Sequence, residues 1–121
     1  MRKVRLGQSD LEVSVICLGT MTWGTQNSLA EGQAQMEQAW AAGCNFLDTA
    51  EMYPVNPVRA ETVGRTEEII GDWNARTGRR GDWIIASKIG GEGGAARGGE
   101  AINGDSLRRA LEGSLARLKT D

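Results

Sequence analysis

At 121 residues the chain holds one domain or part of one, and its 14 Lys and Arg against 16 Asp and Glu leave a formal charge of −2. Interleaved, near-balanced charge argues against a nucleic-acid-binding surface, and a chain with no histidine and only two cysteines, not arranged Cys-x-x-Cys, argues against a metal centre. No run approaches the roughly 20 apolar residues of a membrane span, and Met1-Arg2-Lys3 precedes alternation rather than a signal-peptide block, so a cytoplasmic protein with no membrane partner is expected.

Lys3-Val4-Arg5-Leu6 alternates, turns at Gly7-Gln8-Ser9-Asp10 and resumes as Leu11-Glu12-Val13, a hairpin pattern. Val15-Ile16-Cys17-Leu18 is a continuous apolar run closed by Gly19, as expected of a strand buried on both faces in a parallel sheet. Ser28-Leu29-Ala30-Glu31 has the form of a capping box. It opens a helix with Leu29, Gly32, Met36, Ala39 and Trp40 on one face and a left-handed cap at Gly43. Asn45-Phe46-Leu47-Asp48 is the second core strand. Thr62 or Thr66 caps a second helix that turns Ile69, Ile70 and Trp73 to the core and ends at Gly78; Gly71 within it costs about 1 kcal/mol relative to Ala.

Trp83-Ile84-Ile85-Ala86-Ser87 is the third core strand, with Lys88 at its end. After a glycine-rich stretch, Asp105 or Ser106 caps a last helix whose Leu107, Leu111, Leu115 and Leu118 share a face. Cys17 and Cys44 lie in apolar surroundings and read as buried, reduced thiols. Arg79-Arg80 and Arg108-Arg109 read as solvated edges. Alternation of strand and helix implies a parallel sheet with right-handed crossovers, an α/β architecture. Three core strands are too few for a complete sheet, so the chain reads as the front portion of something larger.

In parallel α/β folds chemistry gathers at the carboxyl ends of the strands. Those ends hold Gly19-Thr20-Met21-Thr22-Trp23-Gly24, then Asp48 with Tyr53 a short loop beyond, then Lys88. A phenol of ordinary pKa, about 10, is a sluggish proton donor at neutral pH. A neighbouring ammonium stabilises the phenolate, and an aspartate holds that ammonium charged and oriented. Such a trio suits protonation of a carbonyl oxygen as hydride reaches the carbon. Singly, the aspartate reads as a turn cap, the tyrosine as packing and the lysine as solvated; the shared rim favours a site. Gly91-Glu92-Gly93-Gly94-Ala95-Ala96 matches the letters of a dinucleotide fingerprint, but no helix opens on it, so it reads as a connection.

Phe46-Leu47-Asp48-Thr49-Ala50-Glu51-Met52-Tyr53, Ile85-Ala86-Ser87-Lys88 and Leu18 through Gly24, with Leu6 through Ser14 and Ser114 through Asp121, resemble the aldo-keto reductases over essentially the whole chain. Glu51-Met52-Tyr53-Pro54-Val55, with a long loop before Glu61, resembles their Tas-like branch. The resemblance implies a (β/α)8 TIM barrel plugged by the hairpin, with residues 1–121 as its N-terminal part, a hairpin and about three βα units ending before the fourth strand. It implies NADPH as cofactor and a small-molecule aldehyde or ketone as substrate. Asp48, Tyr53 and Lys88 would be three of four catalytic residues; Gly19, Thr20, Met21 and Asp48 would meet the nicotinamide, and Trp23 and Tyr53 the substrate. The fourth catalytic residue, a histidine, and the segments that bind the cofactor's phosphate and adenine fall beyond Asp121 in the family, so this stretch alone is expected to be inactive. A cofactor-binding regulatory or scaffolding subunit of the same fold, and a stand-alone α/β interaction module, are the alternatives.

Overall fold

A computed structural model describes residues 1–92 and 94–121; Gly93 of the fingerprint-like run lies outside the described residues. Strands β1 (Lys3–Arg5) and β2 (Glu12–Ser14) form the expected antiparallel hairpin, with Val4 opposite Val13. Asn45 ties the hairpin to the sheet. Its side-chain oxygen accepts from the Ser14 amide at 2.7 Å, and its side-chain nitrogen donates to the Glu12 carbonyl at 3.0 Å.

The parallel sheet has the order β3 (Leu18–Gly19), β4 (Phe46–Asp48), β5 (Ile84–Ala86). Gly19 pairs with Asp48 and Asp48 with Ala86, so the three strands end level and define one rim. Helices α1 (Leu29–Ala41), α2 (Arg65–Thr77) and α3 (Gly104–Leu118) follow the sequence pattern in order and number. Between sheet and helices lie Trp23, Met36, Cys44, Leu47, Ile69, Ile70, Trp73, Trp83 and Leu118, all buried. Each large apolar side chain so buried contributes about 1.5–3 kcal/mol. None of the helices among the described residues is long and apolar enough to cross a membrane.

The Ser28 capping box forms as expected, with the Glu31 amide donating to Ser28 Oγ at 3.2 Å and the Ser28 amide to the Glu31 carboxylate at 2.7 Å. The Ser28 amide and, at 2.9 Å, the Ser28 hydroxyl both donate to the Glu31 carboxylate and hold it below the usual glutamate range. The buried face of α1 is Gly32, Gln33 and Met36, while Leu29 is exposed. Gly43 and Gly78 take left-handed backbone after α1 and α2.

Two helix starts differ from expectation. The N-cap of α2 is Gly64 rather than Thr62 or Thr66; Thr66 lies inside the helix and donates its hydroxyl to the Trp23 carbonyl at 2.7 Å. The cap of α3 is Asn103 rather than Asp105 or Ser106. Asn103 has the extended backbone a cap requires and accepts from the Asp105 and Ser106 amides at 3.0 Å each, while Ser106 Oγ takes the Asn103 amide at 2.8 Å. Asn103→Ala is expected to lower stability by about 1 kcal/mol, read as a lower denaturant midpoint at unchanged slope.

Three packing expectations are corrected. The strand expected over Val15–Leu18 begins only at Leu18, leaving Val15, Ile16 and Cys17 exposed. The Ile16 carbonyl is taken by Ser14 Oγ at 2.7 Å and Cys44 Sγ at 3.3 Å, so side chains satisfy the backbone where a ladder was expected. Among the described residues β3 also pairs on one side only. Cys44 is buried as expected. On α3 the buried row is Ser106, Ala110, Ser114 and Leu118, whereas Leu107 and Leu111 are 51% and 57% exposed. Ser106, Ala110 and Ser114 are small, and with Leu118 ending the row they let α3 pack closely on the elements beneath it. Finally, Arg79 is not a solvated edge. Its guanidinium lies 5.0 Å from the Trp73 ring and 5.6 Å from the Trp40 ring, paired with Glu37 and Asp82 at 2.9 and 2.6 Å. Arg80 likewise donates to the Trp83 carbonyl at 2.7 Å.

Candidate active site

The level strand ends place the site. Lys88 stands two residues beyond the end of β5, and its ammonium reaches back to both Asp48 oxygens at 2.7 Å and to the Thr49 carbonyl at 2.8 Å. Three acceptors match its three N–H donors. The same nitrogen lies 4.9 Å from the centroid of the Tyr53 ring. Asp48, Tyr53 and Lys88 are thus one cluster, as the sequence reading expected of their positions.

Partial burial alone would lower the Lys88 pKa. The Asp48 hydrogen bond and charge, with a smaller contribution from Tyr53, outweigh it and leave the group above the usual lysine range. The ammonium therefore stays charged through neutral pH, and what Lys88 contributes to stability through this pair is fully present below the ordinary lysine value and is lost as pH rises through the raised one. With the two side chains 45% and 40% exposed, the contribution is small; the pair organises the rim more than it holds the fold.

Backbone bonds fix the three residues from behind. The Thr49 amide donates to the Ala86 carbonyl at 2.9 Å, and the Glu51 amide to the Lys88 carbonyl at 3.0 Å. Tyr53 closes a turn on Ala50, and its carbonyl accepts from the Thr66 amide at the start of α2. Glu51 is 5% exposed; its carboxylate accepts from the Gly90 amide and from Arg97, each at 2.8 Å, tying the loop after β4 to the loop after β5.

The remaining expected site residues divide. Gly19 lies level with Asp48, and a side chain there would meet nothing within 4 Å, so the floor beside the cluster is open. Met21 is 44% exposed beside it in sequence. Thr20 is buried and donates its hydroxyl to the Asp48 carbonyl at 2.8 Å, which joins β3 to β4 rather than presenting a group to a ligand. Trp23 overturns its expectation as a pocket wall. It is 1% exposed, packed face-on to Gly32, where any Cβ would sit 2.8 Å from the ring, and its Nε1 donates to Gln35. The cause is that α1 crosses directly over the loop after β3.

Cys17 is near enough to the cluster to sense Asp48. Partial burial first, then the Asp48 charge, push its thiol up, which makes it a poor nucleophile. A cavity of about 110 Å³ lies between Lys88, Ile89 and α3 residues Leu107, Ala110 and Leu111. A larger one, about 470 Å³, is lined by residues of α1, α2 and the end of α3 and holds none of the three cluster residues.

Comparisons with known proteins place this geometry. The aldo/keto reductase family pattern matches residues 15–121. Protein Tas of Escherichia coli (strain K12) is 47% identical over 125 residues, an alignment covering 100% of this chain and 36% of Tas. A probable voltage-gated potassium channel subunit beta of Oryza sativa subsp. japonica is 34% identical, covering 100% of this chain and 35% of that protein. Among solved structures, the holo form of an aldo-keto reductase from Bacillus halodurans superposes with a TM-score of 0.78 at 32% identity, covering 100% of this chain and 37% of that one. Hairpin, parallel βα units and level rim are therefore part of a (β/α)8 barrel. The chain belongs to the aldo/keto reductase family and spans little more than a third of the length of these relatives.

Proposed function

We propose that residues 1–121 are the N-terminal part of a barrel domain that reduces aldehydes or ketones to alcohols with NADPH, in the cytoplasm. The observation that carries this reading is the Lys88 ammonium held on both oxygens of Asp48 at 2.7 Å and 4.9 Å from the Tyr53 ring. Tyr53 is the general acid that protonates the carbonyl oxygen. The Lys88 ammonium stabilises the phenolate left behind, and Asp48 holds the ammonium in place and charged. NADPH, when bound, supplies the hydride. The open floor at Gly19, level with Asp48, and the exposed Met21 fit its nicotinamide end. Thr20 acts behind them by fixing the Asp48 backbone. The residues that would hold the rest of the cofactor belong to other parts of the barrel, so the chain alone does not turn over.

The test joins this chain to the remainder of the Escherichia coli Tas barrel and follows NADPH oxidation with a panel of aldehydes and ketones. Reduction is expected. Lys88→Met should slow it by about 100-fold and move the pH profile upward, since the phenol loses the charge that assists its proton release. An unchanged rate and profile would leave Lys88 a solvated strand end and remove the reading.

The likeness to a potassium channel subunit favours one other role, a cofactor-binding regulatory subunit. NADPH binding with no reduction of any carbonyl would support it.

A further inference from the structure

We infer that Glu67, held between Ser87 and Arg117, is a positioning residue that sets Lys88 on Asp48; the inference rests on the role given to Lys88 above. Glu67 has no exposed surface. One of its oxygens accepts from Ser87 Oγ at 2.5 Å and the other from Arg117 Nε at 2.7 Å, so α2, α3 and the end of β5 meet on a single carboxylate. As a source of stability the arrangement is a poor choice. A fully buried carboxylate paired with a guanidinium that is only partly buried stabilises no more than well-packed apolar side chains of similar volume, and losing the partner is costly.

The surrounding sequence is nevertheless shaped to admit the arginine. A Cβ at Gly64 would lie 2.6 Å from Arg117 Cδ, and one at Gly113 would lie 3.1 Å from its Nη1. Gly64 also holds a positive φ of 84°, which a side chain would strain. Gly113 sits in a helix interior, where glycine costs about 1 kcal/mol against alanine. Local propensity thus yields to the seating of one guanidinium, which points to a role for where the carboxylate ends.

It ends on Ser87. Ladder pairing of β5 stops at Ala86, so the peptide that carries Lys88 is fixed by its own contacts. On one side is Ser87 Oγ on Glu67; on the other is the Lys88 carbonyl, taken by the Glu51 amide at 3.0 Å. The lysine stem therefore leaves a point fixed in two directions and reaches Asp48 and Thr49. Besides these, the groups around the ammonium are the Tyr53 ring and, near β3, the Cys17 thiol.

Lys88 can be followed in the barrel-length protein by NMR of 13C-labelled lysine across a pH titration, its signal assigned by its loss in Lys88→Arg. Ser87→Ala removes only the hydroxyl and leaves the Glu67–Arg117 pair intact. It is expected to lower the Lys88 midpoint by about half a pH unit or more, toward the value in Asp48→Asn, while Ser87→Thr restores it. Glu67→Gln should act in the same direction but leaves Arg117 unpaired and can fail to fold, so Ser87→Ala carries the test. A folded Ser87→Ala barrel whose Lys88 midpoint and chemical shifts match the parent overturns the inference. The readout involves no turnover, so a barrel that failed to reduce carbonyls would sink the reductase reading separately.

Discussion

Tyr53→Phe is expected to abolish carbonyl reduction in the barrel-length protein while NADPH affinity stays within about two-fold, because only an interaction with the reacting oxygen is removed. The ring remains. It keeps its place beside the Lys88 ammonium, and the backbone bonds that seat residue 53, to Ala50 and from Thr66, do not involve the side chain. What disappears is the proton, and a positioned general acid is worth about 10²–10⁴ in rate. The loss should fall on kcat rather than on cofactor binding, so single-turnover rates and a fluorescence titration with NADPH separate the two. Reduction surviving within a few-fold would take Tyr53 out of the acid role. Asp48→Asn acts in the same direction through Lys88 but also alters the floor beside Gly19, so it discriminates less cleanly.

Where the sequence carried a periodic or punctuating signal, the fold was legible. The Ser28 box, the glycines after α1 and α2 and the short apolar runs ending in Asp48 and before Lys88 each have a local cause, and each element appears within a residue or two of its expected place. The failures share a different cause. Asn103 and Gly64 were passed over as caps because neighbouring Asp, Ser and Thr residues have equal or better intrinsic credentials, and the chain path chose between them. Leu107 and Leu111 satisfy a helical stripe as well as the small residues do. Yet α3 turns Ser106, Ala110, Ser114 and Leu118 inward and leaves Leu107 and Leu111 exposed.

The rim trio was legible because strand ends, residue types and a family likeness all agreed on Asp48, Tyr53 and Lys88. Trp23 misled for the opposite reason: proximity to a strand end says nothing about which way a side chain turns. Glu51, Glu67, Arg97 and Arg117 were missed altogether. An acidic residue in the first turn of a helix reads as a partner of the helix dipole, and an arginine near a C-terminus reads the same way, so nothing local distinguished Glu67 or Arg117 from surface charge. The burial of Glu67 and its pairing with Arg117 arise from a contact between residues 50 apart in sequence. The nearest available signal was Gly71, an apparently unfavourable residue within α2 whose reason lay in another element.

That reason makes Gly71→Ala the second large effect. On helix propensity alone the change should stabilise the chain by about 1 kcal/mol. A Cβ at this position, however, would sit 1.9 Å from the Arg117 carbonyl oxygen and 3.0 Å from the carbonyl carbons of Arg117 and Leu118. Backbone cannot move aside as a flexible side chain does, so α3 must lift from α2. Lifting it strains the 2.8 Å bond from Asn74 to the Leu118 carbonyl, opens the core beneath Leu118 and draws Arg117 away from Glu67. Overpacking of this kind costs about 1–3 kcal/mol before broken polar contacts are counted. The net expectation is a loss of about 2–4 kcal/mol, read from a denaturant midpoint. The sign alone decides: a midpoint that rises would mean that α3 does not rest on Gly71. If the midpoint falls, the Lys88 titration should also fall toward that of Ser87→Ala in whatever fraction remains folded, because Arg117 can no longer hold the carboxylate on which Ser87 depends.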